Sequence, residues 1–231
     1  MPRLARVVVP DLPHHVTQRG NRRQRTFFGE QDYGLYRAIL AEQAEAVGVR
    51  VAGWCLMPNH VHLILVPPTP TALALCLREV HRRYTRHVND REGWRGYLWQ
   101  GRFASCVMDE PHFLSALRYV AHNPVRAGLV ETATAWRWSS ARSHVHGQDD
   151  GLTDRTAVAG LVDDWAAFLE VTDRPERLEA LRLGVRTGRP LGDPAFVLSL
   201  EERLGRQMRA GRPGPKGSGE ERTQRRKSLI A

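Results

Sequence analysis

Residues 49–68 constrain the fold of this chain more than any other stretch. Residues 49–56 and 60–66 are apolar runs of strand length, the tight turn Met57-Pro58-Asn59 lies between them, and Pro67-Pro68 closes the second run. Two strands joined this closely form an antiparallel β-hairpin. The elements around it follow from similar signals. Residues 13–19 read as a first strand, which Gly20-Asn21 breaks ahead of a basic loop with Arg22, Arg23 and Arg25. Over residues 30–47 the positions of Tyr33, Tyr36, Ile39 and Leu40 predict a helix with one buried face and Gly48 as its stop. A second helix over residues 71–89 places Leu73, Leu77, Val80, Tyr84 and Val88 on one face and Arg78, Arg82 and Arg86 nearly opposite. Residues 99–108 supply a fourth strand, and Asp109-Glu110-Pro111 opens a further helix reaching residue 123.

The order strand, helix, strand, strand, helix, strand predicts an α+β fold, a split β-α-β-β-α-β antiparallel sheet with helices on one face. Past Gly147-Gln148-Asp149-Asp150-Gly151 the chain becomes acidic and helical, with a last amphipathic helix over residues 194–208. From Ala210 a tail rich in Gly, Pro, Arg and Lys is expected to be disordered. The three parts are therefore residues 1–148, 149–209 and 210–231.

Charge is segregated in the same way. Residues 1–130 hold 17 basic and 10 acidic side chains, residues 131–202 hold 8 and 13, and residues 203–231 hold 9 and 2. All cationic side chains but Lys216 and Lys227 are arginines, whose planar fork suits phosphate contacts and stacking on bases. A polyanionic partner fits this balance, although an arginine-rich proteome would produce the same bias. The apolar runs, residues 61–66 among them, are far below the roughly 20 residues of a spanning helix. No membrane association is expected, and the N-terminus lacks the apolar centre of a secretory signal, which predicts a cytoplasmic protein. Cys55, Cys76 and Cys106 have neither disulfide nor zinc spacing and are expected buried and reduced.

Two groups of residues could carry chemistry. His60-Val61-His62 begins the second hairpin strand, where side chains two apart project from one face and two imidazoles can ligate one cation. Ten histidines in 231 residues give about 0.4 such triplets by chance, so the letters alone decide little. His144-Val145-His146 repeats them, but the polar, acidic stretch after it predicts a surface loop. On the helix from Asp109, Tyr119 and Asn123 lie together, one turn apart and away from the apolar face of Phe113, Leu114, Leu117 and Val120. Locally, Tyr119 reads equally as an exposed ring and Asn123 as the cap of a helix starting at Pro124.

The wording around these residues is more specific. Met57-Pro58-Asn59-His60-Val61-His62, Leu98-Trp99-Gln100-Gly101-Arg102-Phe103 and Tyr119-Val120-Ala121-His122-Asn123-Pro124-Val125-Arg126-Ala127-Gly128 resemble the REP-associated tyrosine transposases, a branch of the single-tyrosine HUH transposases. Pro13-His14-His15-Val16-Thr17-Gln18-Arg19-Gly20-Asn21 and Trp136-Arg137-Trp138-Ser139-Ser140 are similar to them too. Five motifs in order span residues 1 to about 146, leaving the C-terminal third uncovered. The resemblance implies a ferredoxin-like sheet, a divalent cation (Mg²⁺ or Mn²⁺) and a tyrosine on a helix that attacks DNA. By position it makes His60 and His62 metal ligands, Tyr119 the nucleophile and Asn123 the third ligand, with a helix cap at Asn123 or a ligand at His122 as alternatives.

The implied reaction is cleavage and rejoining of single-stranded or hairpin, REP-like palindromic DNA through a 5′-phosphotyrosine. A phenol of pKa near 10 is a weak nucleophile at neutral pH, so the reaction calls for a cation at the phosphate. DNA contacts are expected from Arg19, Arg22, Arg23 and Arg25, from the helical stripe Arg78, Arg82 and Arg86, from Arg102 and Arg126 inside the motifs, and from Arg95 within Trp94-Arg95-Gly96-Tyr97-Leu98-Trp99, where rings alternate with a cation. Trp99 and Phe103 read rather as core, and the arginine stripe equally as a solvated face. The resemblance admits a homodimer. A hairpin-binding protein that no longer cuts is the main rival, and a hydrolase using water a weaker one.

Overall fold

A computed structural model describes residues 6–208. The elements are β1 His14–Arg19, α1 Glu30–Ala46, β2 Arg50–Met57, β3 His60–Val66, α2 Ala72–Glu92, β4 Ala104–Val107, α3 Glu110–Ala121, α4 Asn123–Arg126, α5 Ala141–His146, α6 Trp165–Glu170, α7 Pro175–Thr187 and α8 Pro194–Leu204. The fold is α+β, with an antiparallel sheet of order β2-β3-β1-β4. The hairpin is present with its turn at residues 58–59, and β1 enters beside β3 so that Thr17 faces His62 and Arg19 faces His60. The expected basic tail at residues 210–231 lies outside the described residues.

Period-2 alternation sorts each strand between two cores. Val16, Trp54, Leu56, Val61, Leu63 and Leu65 join α1 and α2 in one core, where Tyr36, Tyr84 and Leu77 are fully buried. Ala52, Cys55, Met57 and Ile64 face the other side and meet Phe113, Leu117 and Val120 of α3. An irregularity between Val51 and Gly53 switches the parity of β2, so that an odd residue before it and even residues after it face the same core. Gly53 also lets α3 close on the sheet, because a Cβ there would lie 3.0 Å from Leu117 Cδ2. One face thus carries the two crossover helices and the other carries α3.

Four expectations need correction. The fourth strand covers only residues 104–107; Trp99 makes a single bridge to Gly20, and Gly101, at φ 137°, turns the chain between them. The helix from Asp109 does not run unbroken to residue 123. Asp109 caps it by accepting from His112 N–H, a contact worth about 1 kcal/mol, but His122 interrupts it and Asn123 begins α4 with Pro124 behind it. The third concerns His144-Val145-His146, which is not a surface loop but the end of α5, with His144 buried. The last helix stops at Leu204 rather than residue 208, where Gly205 takes up the left-handed conformation.

Residues 149–208 are packed onto the sheet. Leu191 donates its N–H to the Val107 carbonyl and accepts from Asp109 N–H, extending the β4 edge by one parallel bridge. Gly184 of α7 sits where a Cβ would come within 2.6 Å of Leu191, and Leu181 beside it is fully buried. Asp173 receives two hydrogen bonds from Arg118 of α3, at 3.0 and 2.5 Å, with both side chains nearly buried. The three cysteines are free and buried. No helix among the described residues is long and apolar enough to cross a membrane.

Candidate active site

His60 and His62 begin β3, two residues apart on the face that meets α3, and Tyr119 comes from the last turn of α3. Their rings gather in one place. The Tyr119 ring stands edge-on to His62, with centroids 5.6 Å apart, and His60 and His62 are 4.9 Å apart. These three line a cavity of about 160 Å³ together with His15, Thr17, Gln18 and Arg19 of β1 and Arg182 and Val185 of α7.

The hydrogen bonds orient both imidazoles. His60 Nδ1 lies 2.6 Å from Asn59 Oδ1, an acceptor, so Nδ1 carries the proton and Nε2 keeps its lone pair. His62 Nδ1 lies 3.0 Å from His15 Nε2. If His62 donates there, its Nε2 is likewise left as a lone pair, the tautomer a metal ligand needs. Burial holds both rings neutral: it pushes the His60 pKa down to about 4, with Arg19 adding to the effect, and lowers that of His62 well below its ordinary value. Neutral imidazoles with one nitrogen fixed and the other available suit a divalent cation. Among the described residues no third His, Cys, Asp or Glu joins them in a group that could hold a metal ion, so a further donor from those residues would be an amide, a hydroxyl or a carbonyl.

Arg126 of α4 lies over the Tyr119 ring, 4.2 Å from its centroid, and also donates to the Tyr119 carbonyl. A cation on the ring face favours negative charge developing on the phenol. Asn123 is buried and its amide donates to the Tyr119 carbonyl at 3.1 Å. It does not line the histidine cavity, so the structure leaves it one turn behind the ring. His122 turns away to bond the Leu169 carbonyl at 2.7 Å.

The arginines named from sequence separate into groups. Arg19 lines the cavity, while Arg23 and Arg102 line a larger cleft that adjoins it. Arg22 and Arg95 share a third recess of about 280 Å³ with Trp94 and Tyr97, whose side chain is 87% exposed. Trp99 and Phe103 are core residues, in keeping with their sequence reading. Arg25 bonds the Phe27 carbonyl. On the outer face of α2, Arg78 and Arg82 pair with Glu79 and Arg86 pairs with Asp90, as a solvated stripe would.

Sequence reasoning missed three contributors. His15, 1% exposed and stacked on His62 with centroids 5.2 Å apart, lay inside a quoted motif but received no role. Its partner is 47 residues away, so only strand pairing reveals it. Arg182 and Val185 lie beyond every motif, and nothing local links them to β1 or β3.

The comparisons with known proteins concern the family and the fold. The family pattern described as "Transposase IS200 like" matches residues 8–123, half of the chain. The chain belongs to the IS200-like transposase family. A Haemophilus influenzae protein that carries the name REP-associated tyrosine transposase is 25% identical over 116 residues, which cover 46% of this chain and 66% of that protein's length. A solved structure described as a REP-associated tyrosine transposase bound to a REP hairpin matches at a TM-score of 0.55 and 20% identity, over 67% of this chain and 93% of that one. At that identity the likeness concerns the fold. The match to the family ends at Asn123, so the Arg126 contact and all of α7 lie outside it.

Proposed function

We propose that this IS200-like transposase is a metal-dependent nickase and strand-transfer enzyme acting on single-stranded or hairpin DNA, with Tyr119 as nucleophile. Its sheet serves as a ferredoxin-like scaffold and α3 as the helix that presents the nucleophile. The observation that carries this reading is the Tyr119 ring resting against His62 in the cavity it shares with His60. His60 and His62 would hold a divalent cation, Mg²⁺ or Mn²⁺, and Asn123, the third candidate donor, would have to turn its side chain from the Tyr119 carbonyl to join them; when bound the cation would polarise the scissile phosphate and offset charge on its oxygens.

The chain's own residues do the rest. The Tyr119 hydroxyl gives up its proton and its oxygen bonds to phosphorus, while the bond from phosphorus to the 3′ oxygen breaks. One strand end is then a 5′-phosphotyrosine and the other a 3′-OH. Arg126, stacked on the ring, stabilises the phenolate as the proton leaves, and Arg19 at the mouth neutralises a phosphate oxygen. Since the phosphotyrosine conserves the energy of the broken linkage, a 3′-OH from another end reverses the step and joins new strands. The REP hairpin in the solved relative supports a palindromic hairpin as substrate.

The test is to incubate the chain with a labelled hairpin library and Mg²⁺ or Mn²⁺, then resolve it on denaturing gels beside Tyr119→Phe. Label on the protein band, lost by about 10³-fold or more in the variant, is expected. Cleavage without labelled protein would indicate a hydrolase using water, and binding without cleavage a protein that only recognises hairpins.

A further inference from the structure

A cleft of about 750 Å³ adjoins the histidine cavity. One wall is β1 with the edge strand β4, and the other is α7 from the C-terminal segment that the family pattern does not reach. Thr17, Gln18, Arg19, Arg182 and Val185 line both spaces, so the cleft opens directly on the position of Tyr119.

Its chemistry is one-sided. Six guanidinium groups line it, from Arg6, Arg19, Arg23, Arg102, Arg182 and Arg186, and no carboxylate does. Among the described residues no acidic partner pairs with Arg19, Arg23, Arg102 or Arg186, and Arg182 has only Glu179 of its own helix, at 3.6 Å. Arg6 stacks 3.6 Å over Phe103, and the nearby charge of Arg102 adds to burial in lowering its pKa. Independently, Ser105 on the cleft wall is 3% exposed and its hydroxyl has no hydrogen-bond partner. Unneutralised arginines around an unpartnered buried hydroxyl describe a site made for a chain of anionic oxygens.

We propose that α7 is the wall of a channel that holds one DNA strand and leads it to Tyr119, with Arg182 and Arg186 binding successive phosphates. The C-terminal segment is thereby a working part of the site. α7 is fixed where it stands, because Gly184 packs so closely on Leu191 that a Cβ would come within 2.6 Å. A cleft of this volume accepts nucleotides in file, whereas one turn of duplex is far larger. This inference rests on the DNA-processing reading above and adds the path of the strand.

The experiment measures binding of fluorescein-labelled dT12 and of a 12-base-pair duplex to the full chain in EDTA, over a salt series. The variants are Arg182→Gln/Arg186→Gln and, as a matched charge control, Arg50→Gln/Arg203→Gln, all at exposed positions, each checked for an unchanged circular dichroism spectrum. The channel predicts about tenfold or greater loss of dT12 affinity at 0.1 M salt in the α7 variant, with a salt slope shallower by about 1.4, at about 0.7 per phosphate contact on a single strand. The control variant and duplex binding should change little. Equal loss in both variants, or unchanged dT12 binding in the α7 variant, would overturn the channel. The two readings fail separately: labelled protein with unaltered α7-variant binding retains the cleavage chemistry without the channel, and α7-dependent binding without labelled protein retains the channel alone.

Discussion

His60-Val61-His62 and His144-Val145-His146 are the same three letters in two backbones. On β3 the pair turns to one face, 4.9 Å apart by ring centroid, beside Tyr119. On α5 a two-residue step rotates the side chain by about 200°, so the second pair parts. His144 goes inward, where it stacks on Trp165 at 4.0 Å and bonds the Ala52 carbonyl at 3.0 Å, and His146 stays exposed. Whether two imidazoles can converge on one ligand is a property of the strand or helix that carries them.

Substitution can break this contrast. Replacing His62 by Ala is expected to reduce formation of the protein–DNA adduct by about 100-fold or more, read as labelled protein per unit time on a denaturing gel. His144→Ala should leave that yield within about twofold, and an equal loss in both variants would end the distinction between the pairs.

A smaller effect is expected at His15, the group against His62 Nδ1. His15→Phe keeps the ring volume and removes the hydrogen-bond partner, so Mn²⁺ affinity, followed by the loss of the free-ion electron paramagnetic resonance signal, should fall by about 10-fold. Unchanged affinity would mean that His15 is packing alone.

The smallest effects concern stability. His144→Ala strands the Ala52 carbonyl and should cost about 1–3 kcal/mol in urea denaturation, while His146→Ala should cost nothing measurable. Burial pushes the His144 pKa down to about 4, and those of His14 and His15 likewise. A pKa lowered on folding means that the unfolded chain binds more protons between pH 6.5 and 4. Stability is therefore fully present above pH 6.5 and is lost as pH falls toward 4. The urea midpoint should drop over that window, with a shallower slope in His144→Phe; identical slopes would remove His144 from the account.

The hairpin, the two crossover helices and the order of elements along the chain were legible because each rests on short-range signals: alternation, helical spacing, and Pro or Gly at the ends. Failures came where partners are distant. A six-residue helix has too few turns for its period to show, and α5 is held by Trp165 and Ala52 rather than by its own pattern. The helix from Asp109 had a good start signal and breaks at His122, just ahead of Pro124, which has no N–H to continue it; the bond from His122 to the Leu169 carbonyl, 47 residues away, was beyond any local reading.

By itself the sequence determined the strands and longer helices of the first 121 residues, the family, and the residues His60, His62 and Tyr119 as chemically able, since those follow from side-chain identity and local period. The tertiary structure alone decided which of them meet. Pairing β1 with β3 set His15 on His62, closing α3 on Gly53 brought Tyr119 over the histidines, and locking α7 through Gly184 aimed two arginines at the same opening. Those contacts span tens to more than a hundred residues of chain, and at such separations only the packed core fixes distance.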